Sequence, residues 1–362
     1  MRRREFLGYG LRGLVVLAAQ PLVGFGCGGD ATPDAIDLHV VEALVEMADG
    51  SRVYHRLFAA DPLAPTFPGP VITATAGRAI TIHVHNLLHE AHAFEVPGIP
   101  ASATGPIPPG GSATVRFAIE RTGSFLYLDP LRAPLHRLLG LHGALVVLPR
   151  GRIGSPYGDP TPAVQRLFDD LGTAPHFPGD PWLAERSRIW LFHQIDPELN
   201  RRVAERMPID PERIRPNFRP RLFTLNGRGG YFAARAADTR IEAFVGEPHL
   251  VRVLNAGLVV LSPHLHGNHG YPVAVDGVVQ ENLAFADTWT VAPLQRVDWL
   301  LPFVAPQEIG GDPQRPLRER IPEEAGAPLR YPVQCGGGGE LATEIVFLGD
   351  VDKRPFAAGS AG

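Results

Sequence analysis

Two cysteines in 362 residues, Cys27 and Cys335, give no framework of disulfides on which a small secreted fold could depend. The sequence also lacks the signatures of several enzyme classes. It has no Gly-X-Ser-X-Gly elbow, no phosphate-binding Gly-Lys loop and no His-Glu-X-X-His helix. An excess of positive charge is missing as well, since the formal net charge is −4. Long apolar runs are absent apart from one at the N-terminus, so no spanning helix is expected elsewhere. What is present is 44% hydrophobic and 20% charged residues, a composition that folds rather than stays disordered. The 40 Gly and 37 Pro, spread along the chain, suit many short strands and turns and point to an all-β fold.

The N-terminus reads Arg2-Arg3-Arg4-Glu5-Phe6-Leu7 and continues as a mostly apolar stretch to Gly26. It resembles a twin-arginine export signal, Arg3-Arg4-Glu5-Phe6-Leu7, and is set aside from fold reasoning as residues 1–26. Cys27, followed by Gly28-Gly29-Asp30, resembles a lipid-attachment site heading a short tether over 27–36. The expected location is the periplasm or cell envelope, with the membrane met only through the signal or a lipid anchor. Removing 1–26 takes away four Arg and one Glu, which leaves 30 basic against 37 acidic residues. The resulting charge of −7 argues against a nucleic-acid partner.

β-rich runs bounded by turn residues recur at Leu38 to Val45, Val53 to Phe58, Val71 to Thr75, Ile80 to His85, Thr114 to Ile119, Phe125 to Leu128 and Ala144 to Leu148. This density of short strands is that of a sandwich and defines a first domain over 37–150. A second set lies at Ile189 to Phe192, Leu222 to Leu225, Arg240 to Phe244, Leu250 to Leu254, Pro272 to Val275, Val297 to Val304, Tyr331 to Val333 and Ile345 to Leu348. It defines a second domain over 188–352, with a tail over 353–362. Between them, 151–187 is a linker in which Thr161-Pro162 opens a helix with Val164, Leu167, Phe168 and Leu171 on one face. Asp196-Pro197 opens another, with Leu199, Val203 and Met207.

The two sets are related by an internal repeat. Ala74, Gly77, Val84 and Asn86 share their spacing with Ala243, Gly246, Val253 and Asn255, at a constant offset of 169 residues. Continued forward, the offset sets His264 opposite Glu95 and His266 opposite Pro97. Alternate residues on a strand share a face, so His264 and His266 can serve one metal, with His269 close behind. His83 and His85 also alternate, and read as a packed or solvated strand face. His89 and His92 fall in a turn from which they could extend the His264 cluster. Cys335 has no His, Lys or Arg beside it in sequence to activate it, and is expected to be a buried, inert thiol.

Several segments resemble the multicopper oxidase superfamily, whose members are built from cupredoxin domains. They are Gly69-Pro-Val-Ile, the strand pair from Gly77 to Leu88, Leu141-His-Gly-Ala-Leu-Val-Val147, Phe223-Thr-Leu-Asn-Gly227, Val253-Leu-Asn-Ala-Gly257 and Ser262-Pro-His-Leu-His-Gly267. The resemblance implies two cupredoxin-like Greek-key sandwiches, copper as cofactor and oxidoreductase ancestry. It also implies four His-X-His pairs for an oxygen-reducing cluster, of which only His264 and His266 are present. The others fall on Glu95 and Pro97, on Leu128 and Pro130, and on Gln334 and Gly336. For the mononuclear blue site, Cys335 matches the thiolate, but the histidines fall on Leu261 and Glu340 and the axial ligand on Ile345. Two-domain nitrite reductases place that site in domain one. There His136 matches a ligand, while the thiolate falls near Asp129 and the axial ligand on Leu141. The resemblance therefore implies oxidase centres that are largely lost. Two functions stay open: one copper at His264, His266 and His269, with Glu95, His136, His142 and Cys335 as further candidate ligands; or a copper-free scaffold for an envelope protein partner. Two-domain relatives assemble as trimers, so a homotrimer is the assembly the resemblance implies.

Overall fold

The computed structural model describes residues 35–151, 155–172, 186–244, 246–303, 329–335 and 340–348, with two-residue strands at Val15–Val16 and Leu22–Val23 that run parallel to Leu44–Val45 and Val71–Ile72. The twin arginines, Cys27 and the C-terminal tail lie outside the described residues.

Domain one is a sandwich of two sheets. One has the order β2 (Arg52–Ala59), β1 (Ile36–Glu46), β4 (Ala79–Asn86), β5 (Ser112–Ala118). The other runs β3 (Val71–Thr75), β7 (His142–Leu148), β6 (Gly123–Leu128). On β4, Ile80, Ile82, Val84 and Asn86 are buried while Thr81, His83 and His85 lie on the other face. That alternation is the period of a half-buried strand. The strands β3, β6 and β7 are buried on nearly every residue, because their second face is covered by domain two. Val71, Leu126, Ala144 and Val146 pack there against Ile189, Leu191, Leu254 and Ala256. Each of the valine, leucine and isoleucine side chains contributes about 1.5–3 kcal/mol by leaving water.

Domain two repeats this plan with the same senses of pairing. Its larger sheet is β9 (Leu222–Leu225), β8 (Ser187–Ile195), β11 (His249–Asn255), β15 (Arg296–Leu301), β13 (Tyr271–Val275), β14 (Val278–Val279). Its smaller sheet is β10 (Ile241–Ala243), β17 (Glu340–Phe347), β16 (Leu329–Cys335), β12 (His264–Leu265). β1 is parallel to β4 as β8 is to β11, and β3 is parallel to β7 as β10 is to β17. The matched asparagines carry the repeat down to single hydrogen bonds. Asn86 Nδ2 donates to the carbonyls of Glu90 and Ile107, and its Oδ1 accepts from Leu88 N. Asn255 Nδ2 donates to Val259 and Val291, and its Oδ1 accepts from Gly257 N. Gly77 and Gly246 both have positive φ, 68° and 85°, where a side chain is disfavoured.

Both expected helices form. α2 (Pro162–Gly172) starts after Thr161, whose Oγ1 accepts from Val164 N, and buries Val164 and Phe168. α3 (Pro197–Ala204) is capped by Asp196 Oδ1, which accepts from Glu198 N and Leu199 N. It ends before Met207, which is exposed, so the buried face stops at Val203. A further short helix, α1 (Leu135–Leu138), forms a single turn between β6 and β7. Its Leu135 and Leu138 pack on Leu199 and Val203 of domain two.

Candidate metal centre

Where β6 ends, the chain leaves the sheet through Asp129 and α1 before returning as β7. Asp129 N donates to Leu141 O and Leu141 N to His136 O, so this loop closes on itself and holds Asp129 beside His136. From the other side, His92 is fixed by a two-way backbone bridge to Ile107. The result is a buried pair of imidazoles on one carboxylate. His92 Nδ1 and His136 Nδ1 lie 2.7 and 2.8 Å from the same Oδ2 of Asp129, with ring centroids 4.5 Å apart. All three side chains are buried.

The charge states follow from the contacts. Burial, the largest influence on Asp129, raises its pKa, but the hydrogen bonds from His136 and His92 outweigh it and bring it below the ordinary value. An ionised carboxylate is acceptor-only, so both Nδ1 atoms donate. The pKa of His92 is lowered, chiefly by burial, against the opposing bond to Asp129. A neutral imidazole that donates from Nδ1 keeps its lone pair on Nε2. The Nε2 atoms of His92 and of His136 are both buried without a hydrogen-bond partner. One ligand atom from each of Glu90, His92 and His136 lies within 4.8 Å of the others, the one such group of His, Cys, Asp or Glu found among the described residues. Glu90 is held by the buried Arg56 and, at 3.5 Å, by Arg132.

These residues fit a metal ion in three respects: two orphaned imidazole nitrogens, a neighbouring carboxylate, and a second carboxylate that fixes both rings through Nδ1, as supporting residues do around metal-bound histidines. Imidazole with carboxylate suits Cu(II) or Zn(II). Without a thiolate the set cannot give a blue-copper centre.

The residues singled out from sequence are distributed differently. His264 and His266 stand with ring centroids 4.8 Å apart, so the alternation does place them together. One nitrogen of each is engaged: His264 Nδ1 bonds Thr288 Oγ1 at 2.8 Å, and His266 Nε2 donates to Gln334 Oε1 at 3.0 Å. His269 stacks on Phe285. Among the described residues, none of the three belongs to a metal-competent group. Glu95 is bridged to Leu128, with its pKa raised by burial and then by the charge of Asp129. His136 is in the centre. His142 lies outside this group, beside His193, with ring centroids 4.7 Å apart. Cys335 is half-buried rather than enclosed, on the wall of a cavity of about 330 Å³ that is also lined by Leu261 and Phe192. His92 joins His136 and not the His264 cluster. The offset of 169 residues pairs it with Leu261, and the pairing is physical, since His92 bridges Ile107 as Leu261 bridges Val291.

The comparisons agree with this frame. Residues 63–152, which contain Glu90, His92, Asp129 and His136, match the multicopper oxidase family model. Laccase-1 of Cryptococcus neoformans var. grubii is 32% identical over 102 residues, 24% of this chain and 16% of the relative. A multicopper oxidase of Talaromyces pinophilus is 30% identical over 129 residues, 32% of this chain and 20% of the relative. The chain thus spans well under half the length of either. Among solved structures, the blue copper oxidase of Nitrosomonas europaea superposes with a TM-score of 0.61 at 16% identity, covering 86% of this chain and 85% of that one.

Proposed function

Taking this chain as a multicopper-oxidase-like protein of two cupredoxin-fold domains, we propose that it is an exported metal-binding member of that superfamily whose oxygen-reducing centres are lost. Its metal chemistry is then confined to Glu90, His92 and His136 in domain one. The observation that carries this reading is the pair of buried, unpartnered Nε2 atoms on rings oriented by one carboxylate. A bound Cu(II) or Zn(II) would supply a positive centre between two buried imidazoles and a partly exposed carboxylate. Asp129 would orient the rings, and Arg56 and Arg132 would steer Glu90. Copper at His264 and His266 is the weaker placement, because among the described residues these rings gather no third candidate ligand, whereas His92 and His136 have Glu90.

Loss of oxidase function is supported by the residues at the remaining family positions: Glu95 and Pro97, Leu128 and Pro130, Gln334 and Gly336. Export through the twin arginines, and attachment through Cys27, rest on the sequence from Arg2 to Asp30. The second reading, a metal-free envelope scaffold, is favoured by one observation: Asp129 accepts from both Nδ1 atoms, so protein contacts alone fix the two rings. The test is to load the purified protein with copper and record oxygen uptake with a phenol, together with the visible spectrum. No turnover and no intense blue band are expected, and either one would overturn the assignment. Bound metal separates the first reading from the second.

A further inference from the structure

The domain boundary carries a second group of histidines that the metal centre does not use. His55 on β2 and His142 on β7 come from domain one, and His193 on β8 from domain two. All three are fully buried. The ring of Phe67 lies among them, with centroids 4.5 Å from His55, 6.0 Å from His142 and 5.5 Å from His193. His142 and His193 face each other across the boundary at 4.7 Å.

The hydrogen-bond count is the decisive feature. An imidazolium has two N–H donors and needs two acceptors. His55 Nδ1 donates to Val53 O, and His193 Nε2 donates to Leu138 O on α1. The other nitrogen of His55 has no partner, His142 has a partner for neither, and the second acceptor near His193 is the carbonyl of Ala256, which Arg137 already occupies. Protonation adds a second N–H to each ring, and at most half of the resulting donors would have an acceptor in this buried space.

We propose that His55, His142 and His193 form an acid-sensitive joint between the two domains, closed while the rings are neutral and forced open when they take up protons. The charged surroundings act in the same direction. The groups that act on these rings are one another and Arg137 of α1, whose guanidinium is fixed to the carbonyls of Ala256 and Gly257 across the boundary. Arg215 of α4 (Ile214–Asn217) acts in turn on Arg137. Burial lowers the pKa of His55 to about 4. Burial, then His55 and Arg137, lowers that of His193 to about 3. His142 is held well below its ordinary value by burial, His193 and Arg137. Depressed basic groups bind protons more readily in the open state. The closed joint therefore has full stability above an imidazole's ordinary pKa and loses it progressively as pH falls towards the folded values. Opening would release Leu138 O, and with it α1.

The experiment follows hydrogen exchange of 133–142, corrected for the chemical rate, from pH 7 to pH 4.5 in the full chain and in a His142→Phe, His193→Phe variant. In the natural chain the opening constant should rise by up to about tenfold per pH unit for each imidazole below its ordinary pKa. The variant should lose two of those factors, while exchange around His249, buried in domain two beside Arg186 and Arg188, keeps its pH response. Equal pH responses of 133–142 in the two proteins would overturn the proposal. If the variant does not fold, histidine ring NMR of the natural chain decides. Three rings still neutral at pH 5 support the joint, and a protonated His142 or His193 with α1 still protected overturns it.

Discussion

Cys335 in domain two stands where Asp129 stands in domain one. Glu95 bridges Leu128 as His264 bridges Gln334, and Asp129 and Cys335 are the next residues along their strands. Their neighbours are exchanged too: Asp129 meets His92, whereas Cys335 shares a cavity wall with Leu261, the counterpart of His92. Domain one keeps the imidazoles without the thiol, and domain two the thiol without the imidazoles.

Asp129→Cys should therefore assemble the missing combination of one thiolate and two histidines. Copper(II) added to this variant is expected to give an intense thiolate charge-transfer band that the natural chain lacks. A spectrum like that of the natural chain would show that the two rings do not converge on residue 129 as described.

Asp129→Ala removes the acceptor shared by two buried rings. Leaving such groups unpaired should cost about 3–5 kcal/mol in urea unfolding, and metal affinity should fall about 10–100-fold. Asp129→Asn, which keeps an acceptor oxygen, should cost less. An unchanged urea midpoint for the alanine variant would refute the triad.

Asp298 joins the two domains. Its Oδ1 accepts from Ser124 of domain one, and its Oδ2 accepts from Tyr157 of the linker and from Arg252 of domain two. Asp298→Ala leaves Arg252 buried and uncompensated, and should destabilise by about 3–5 kcal/mol without changing metal content. Unfolding curves with metal analysis of the folded protein check both halves of this expectation.

Tyr54 contributes to the alkaline limit together with Tyr127 and Tyr157, whose pKa values burial also raises. Burial, the largest influence, raises the pKa of Tyr54 to about 12, and its hydroxyl donates to Glu42 while accepting from Arg56. A phenol whose folded pKa is raised adds stability that is complete below its ordinary pKa of about 10 and is lost as pH rises through the folded value. Unfolding midpoints between pH 9 and pH 12, both about the range where phenols ionise, should fall in the natural chain and stay flatter in Tyr54→Phe.

Much of the fold was legible because period-two alternation and turn residues are local signals. The repeat was legible because Asn86 and Asn255 hold equivalent turns with equivalent bonds. The site was harder to read. His92 lies in an isolated β-bridge with no spacing to mark it, and only the offset to Leu261, carried backwards from His264, would have found it. Asp129 was located as a lost thiolate position, but a sequence does not show that a carboxylate in that place captures two rings. His55 and His193 are far apart in the chain and meet only because domain two covers the outer face of β7. The one-turn helix α1 is too short for helical periodicity to reveal.

The most direct test is metal stoichiometry. The natural chain, a His92→Ala, His136→Ala variant and a His264→Ala, His266→Ala variant would each be dialysed against copper and analysed for bound metal. One equivalent is expected in the natural chain and in the His264, His266 variant, with none in the His92, His136 variant. Copper lost from the His264, His266 variant and kept in the other, or absent from all three, would contradict the account.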